Sequence, residues 1–96
     1  MKPKVEYTTQ DVLEKFGGTK VKCALTGREL DLRTDPYCLD HIIPVDKGGS
    51  NELSNMEITC PEANAAKNNL TNDEFIRLCI EVLTNFGYEV SNRSLV

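Results

Sequence analysis

Between Tyr37 and Lys67, Asp40, His41, Asn55 and Asn64 stand in an order suited to hydrolysing a phosphodiester. His41 is the single histidine and follows Asp40 directly; Asn55 and Asn64 come 15 and 24 positions after Asp40. The reaction needs a deprotonated water, neutralised charge on the phosphate, and help for the departing oxygen. A neutral imidazole is the natural base near neutral pH. A divalent cation supplies the rest, and Mg²⁺ favours a carboxylate with carbonyl oxygens, waters and substrate completing its shell. His41 is thus the candidate base, Asp40 the candidate carboxylate ligand and Asn64 the candidate carbonyl ligand. Asn55 can tie the loop back onto the first strand or hold the imidazole in a useful tautomer. Lys47, in Lys47-Gly48-Gly49, and Lys67 are weaker candidates for phosphate contact, and Arg28 and Arg33 weaker still. Adjacent strand residues point to opposite faces, so at Asp40-His41 the strand must end or twist, or the two side chains straddle the substrate.

The elements that would position these residues are legible in outline. Tyr37 to Ile43 is an apolar run interrupted by Asp40 and His41 and stopped by Pro44, a strand carrying two chemically expensive residues. Val45 to Ser54 is loop by composition. Met56 to Cys60 alternates apolar and polar as a half-buried strand does. Pro61 suits the first position of a short helix that Asn68-Asn69 ends. Upstream, a helix over 9–16 with Thr8 or Thr9 as its cap stops at Gly17-Gly18. A short strand over Lys20 to Ala24 and a turn at Thr26-Gly27-Arg28 lead to Leu30-Asp31-Leu32. Downstream, Thr71 and Glu74 make a capping box for a helix over 72–86. Its stripe of Phe75, Leu78, Cys79, Val82, Leu83 and Phe86 is expected to be core, with Gly87 as the stop. Tyr88 to Val96 reads as an edge strand or a frayed tail.

Ninety-six residues with 40% hydrophobic and 27% charged content make one small domain, 1–96, with no tract that argues for disorder. The net charge of −4 is unusual for a dedicated duplex binder, so the 11 Lys and Arg must gather on one face or a partner must add affinity. The four cysteines form no C-x-x-C pair, and the amino end shows no secretory signal. Free thiols and a cytoplasmic location are expected, with no membrane association.

Leu39-Asp40-His41-Ile42-Ile43-Pro44, then Gly48-Gly49, Ser54-Asn55, Cys60 and Lys67, resembles the HNH endonuclease family over roughly residues 20 to 75. Cys23-Ala24-Leu25-Thr26-Gly27 is also similar to the segment before that motif in small phage and bacterial members. The resemblance implies a small α+β, ββα-metal domain with motif core 37–67: a two-stranded antiparallel sheet and a helix around one divalent cation, with flanking helices. It makes His41 the general base, Asp40 the first metal ligand and Asn55 the orienting residue. The third motif position falls on Asn64, an H-N-N variant like the HNH domain of the RNA-guided bacterial nucleases. An asparagine oxygen is a harder ligand than an imidazole, which favours Mg²⁺ or Mn²⁺. Many relatives hold a structural zinc with two C-x-x-C pairs; here Thr26 and Ala63 stand at the partner positions, so no structural zinc is expected and Cys23 and Cys60 should pack as small apolar groups.

The implied substrate is DNA, nicked one strand per site, in a bacterial or phage-infected cell. A homodimer or a larger nucleoprotein assembly is compatible with this reading. The acidic balance predicts modest sequence preference and strong salt sensitivity. The alternatives are a non-catalytic nucleic-acid- or protein-binding module of the same fold, or a subunit active only inside a larger assembly such as a phage packaging complex.

Overall fold

The computed structural model describes residues 7–92. Thr8 and Asp11 cap the first helix reciprocally: the Thr8 hydroxyl accepts from Asp11 N–H at 3.1 Å, and the Asp11 carboxylate accepts from Thr8 N–H at 2.9 Å. The helix, α1 (Thr9–Phe16), stops where Gly17 turns left-handed at φ 82°. Val12 is buried, Leu13 and Phe16 half-buried. From its last turn Lys15 donates to the carbonyls of Leu53 and Met56, at 2.6 and 3.1 Å, pinning α1 to the end of the long loop.

A hairpin follows, β1 (Lys20–Lys22) and β2 (Glu29–Asp31), whose cross-strand pairs set Lys20 against Asp31 and Lys22 against Glu29. The strand expected to reach Ala24 stops at Lys22. Cys23 N–H bonds back to Arg28 across the turn, and Ala24 N–H leaves the hairpin for the carbonyl of Ile58. Ile58 lies in β4 (Met56–Thr59), the antiparallel partner of β3 (Cys38–His41), in a register running from Cys38↔Thr59 to His41↔Met56. The sheet expected at the site is therefore present, with the hairpin as a second two-stranded sheet beside it.

Pro61 opens α2 (Pro61–Lys67), which ends at Asn68 with φ 50°, the one described non-glycine residue at positive φ. Val12, Cys23, Leu30, Ile58, Cys60 and Ala63 form the core where α1, the hairpin, β4 and α2 meet.

The last helix, α3 (Asn72–Asn85), carries the expected capping box of Thr71 and Glu74. Its expected burial is not found. None of its residues is buried, Val82 is 50% and Phe86 74% exposed, and Cys79 lies exposed on its surface. The core around Ile58 is already closed by α1, α2 and the hairpin, and α3 starts beyond it. Tyr88 to Asn92 form no strand. Residues 1–6, read for a leader, and 93–96, the end of the expected strand or tail, lie outside the described residues. Among the described residues no helix is long and apolar enough to cross a membrane.

Candidate active site

β3 ends at His41, and there the two adjacent side chains take different partners. Asp40 meets α2: its Oδ2 accepts from Lys67 Nζ at 2.6 Å. His41 meets the loop: its ring Nε2 lies 2.5 Å from Asn51 Oδ1. Because that oxygen only accepts, Nε2 is the nitrogen that donates to it. Asp40 and His41 also line one cleft of about 200 Å³, together with Asp46, Asn68 and Asn69.

Lys67 is 1% exposed. Besides Asp40, its ammonium donates to the carbonyl of His41 at 3.0 Å and lies 3.7 Å from Glu57 Oε1. Glu57 faces Asp40 directly across the β3–β4 ladder. Two carboxylates thus share one buried cation, and Glu57 Oε1 has no hydrogen-bond partner. The phosphate contact read for Lys67 has no surface to act from. Lys47 is likewise engaged: it donates to the carbonyl of Asn69 at 2.9 Å and to Glu74 Oε1 at 2.6 Å, tying the loop to the start of α3. That hydrogen bond, with those from Thr71, holds the Glu74 carboxyl down at about 2. Arg28 pairs with Glu62 and Arg33 with Asp31.

Asn55 takes the first of the two roles open to it. Its Oδ1 accepts from Ile43 N–H at 3.0 Å, and its Nδ2 donates to the carbonyls of Ile43 at 2.9 Å and Ser50 at 2.8 Å. The side-chain amide stands in for a peptide group beside the strand end, and its hydrogen bonds go to backbone rather than to the imidazole. Gly49 closes the same neck: a Cβ there would lie 1.7 Å from the carbonyl oxygen of Ile43 and 2.8 Å from Asn55 Nδ2. The absence of a side chain at Gly49 serves loop closure.

Asn64 sits half-buried on α2, three residues before Lys67 and so on the same side of the helix. Among the described residues its side-chain amide makes no hydrogen bond, and neither do Asp40 Oδ1 and Glu57 Oε1. Asp40 and Asn64 offer hard oxygens of the kind Mg²⁺ or Mn²⁺ takes, a donor chemistry that fits such a cation, whereas Glu57 Oε1 is buried beside Lys67. Among the described residues no three His, Cys, Asp or Glu side chains converge into a metal cage.

The HNH endonuclease family model matches residues 23–70, half of the chain. The chain belongs to the HNH endonuclease family. No curated protein and no solved structure matches it. Family membership points to a nuclease that acts on nucleic acid with a divalent metal.

Within this HNH domain, Cys23 and Cys60 are buried with their sulfurs 3.7 Å apart. Cys23 Sγ accepts from the N–H groups of Cys60 at 3.2 Å and Thr26 at 3.4 Å. Burial pushes its thiol up, but these hydrogen bonds, with that of the Thr26 side chain, outweigh it and bring it to about 7. Ala63 packs in the same cluster. Sequence reasoning passed over Asn51 and Glu57. Asn51 lies among turn-forming residues and Glu57 in a plain alternating strand. The signal for Glu57 is its ladder position opposite Asp40.

Proposed function

We propose that this HNH domain is a Mg²⁺- or Mn²⁺-dependent DNA endonuclease that hydrolyses one strand per site in a bacterial or phage-infected cell. The observation that carries the reading is the His41–Asn51 hydrogen bond, which engages Nε2 of a histidine lining one cleft with Asp40 and so leaves Nδ1 to serve as the base when the ring is neutral. Nδ1 takes a proton from water; the water oxygen bonds to phosphorus as the ester P–O bond breaks, and the departing oxygen takes a proton from solvent water. Asp40 and Asn64 would hold the cation, whose chemistry is to neutralise the phosphate and assist that departing oxygen. Asn51 is the positioning residue for the base, and Asn55 and Gly49 fix the strand end from which His41 projects.

A supercoiled-plasmid assay at low salt, with Mg²⁺, Mn²⁺ or EDTA, tests this. Wild type should give open circles only with metal. His41→Ala should slow nicking by about 10²–10⁴-fold while keeping the wild-type circular dichroism. Asn64→Ala should raise the metal concentration required, and Asn51→Ala should displace the pH profile. A folded wild type that stays inert in every metal sinks the proposal.

One observation favours a competing reading. Lys67 occupies one oxygen of Asp40, as in a fold retained for binding alone. A non-catalytic module predicts no metal-dependent cleavage and no effect of His41→Ala beyond stability.

A further inference from the structure

Glu57 Oε1 is a buried acceptor without a hydrogen bond, and the ammonium of Lys67 lies 3.7 Å from it. Leaving a buried carboxylate oxygen unbonded costs free energy, so such an atom calls for a reason. Backbone pairing of Glu57 with Asp40 supplies none, since the ladder makes no demand on the side chain.

Lys67 is 1% exposed and so cannot turn to water. It donates to Asp40 Oδ2 at 2.6 Å and to the carbonyl of His41 at 3.0 Å. Asp40 is also the carboxylate proposed to hold the cation. A divalent cation there draws the carboxylate charge to itself and repels the neighbouring ammonium. A buried ammonium deprived of its carboxylate is strongly unfavourable. The apparent affinity for the cation falls by whatever that loss costs.

We propose that Glu57 is a positioning residue of the metal site, taking over the ammonium of Lys67 when a divalent cation claims Asp40. Directly opposed residues of an antiparallel pair project from one face, so both carboxylates face Lys67. Closing the 3.7 Å separation by about 1 Å gives a charge-assisted hydrogen bond of ordinary length. The carbonyl of His41 holds the ammonium at depth while it changes partner.

Formal charge supports the same assignment. Asp40 and Lys67 cancel and Asn64 is neutral, so these three offer a divalent cation no net charge; Glu57 restores one negative charge. Asp46 also lines the cleft, but it is exposed and its carboxylate accepts from Asn69 Nδ2 at 2.7 Å, so water and salt screen it. This inference rests on the reading of Asp40 and Asn64 as cation ligands.

Mn²⁺ binding to the full chain, followed by electron paramagnetic resonance of the free ion, tests it. Wild type should bind, and Glu57→Gln should weaken binding by about 10–100-fold with unchanged circular dichroism. Asp46→Asn should weaken it less. In a Lys67→Met background the Glu57→Gln change should have no effect, because no ammonium is left to relocate. Should either variant fail to fold, Mg²⁺ titration of wild type gives a separate readout. The carboxylate ¹³C resonance of Glu57 should shift as the cation binds, and Asn64→Ala should move that midpoint to higher Mg²⁺. A wild type that binds no Mn²⁺ overturns both this inference and the cation reading beneath it. Binding unaltered by Glu57→Gln, an equal loss from Asp46→Asn or in the Lys67→Met background, or a Glu57 resonance indifferent to Mg²⁺ overturns this inference alone.

Discussion

Lys67 lies between Asp40 at 2.6 Å and Glu57 at 3.7 Å, and its side chain is 1% exposed. Removing one partner from a buried ionic cluster costs roughly 3–5 kcal/mol, because the charge left behind is neither paired nor hydrated. Total domain stability is about 5–15 kcal/mol, so the loss is large. Lys67→Met should therefore lower the unfolding free energy in urea by about that amount. A change below about 1 kcal/mol would show that water already screens the two carboxylates. Activity lost in this variant is attributable to the site only if the fold is shown to persist. His41, Asp40, Asn55 and Asn64 could be singled out as candidates in the sequence because their types and order suit one reaction. The inward turn of Lys67 was not: a lysine closing a short helix carries no mark of the carboxylates that strand pairing sets beneath it. Asn51 was missed for a similar reason, since its role arises only when the loop folds back on His41.

At the scale of elements, the contact between the site loop and α3 rests on Lys47 and Glu74. The Glu74 carboxyl is lowered from 4.5 to about 2, chiefly by the hydrogen bond from Lys47. A depressed carboxyl stabilises the folded state fully above its unfolded value and ceases to do so as pH falls through the folded one. The contribution is thus complete above about 4.5 and lost toward about 2. Lys47→Met should flatten the dependence of melting temperature on pH within that window and leave the dependence above it unchanged. Identical acid limbs in both proteins would remove Lys47 as the cause. The helices themselves were well marked in the sequence, since capping boxes and terminal glycines are local signals. What covers an apolar stripe is not local. The spacing of Phe75, Leu78, Val82 and Phe86 identifies a face, and only the completed core shows that Leu78, Val82 and Phe86 stay exposed.

For the molecule as a whole, a net charge of −4 meets a polyanionic substrate. Arg28, Arg33, Lys47 and Lys67 are all held by carboxylates of the chain itself. On the hairpin, Lys20 and Lys22 stand opposite Asp31 and Glu29. Affinity of the isolated chain for DNA should accordingly be low and fall steeply as KCl is raised, measured by fluorescence anisotropy of a labelled duplex. Binding that survives high salt would point to contacts other than phosphate pairing. The fold is also small enough that its order depends on single side chains. A ladder of four residue pairs could slip by one with little loss of backbone hydrogen bonding. Such a slip would turn every side chain of β3 to the opposite face, sending Asp40 away from Lys67 and His41 away from Asn51. By gripping both peptide groups of Ile43, Asn55 fits only one alignment of β3 against β4. Its amide therefore acts as an index mark for the sheet, excluding a misaligned but otherwise well-bonded molecule in which the same residues could never assemble.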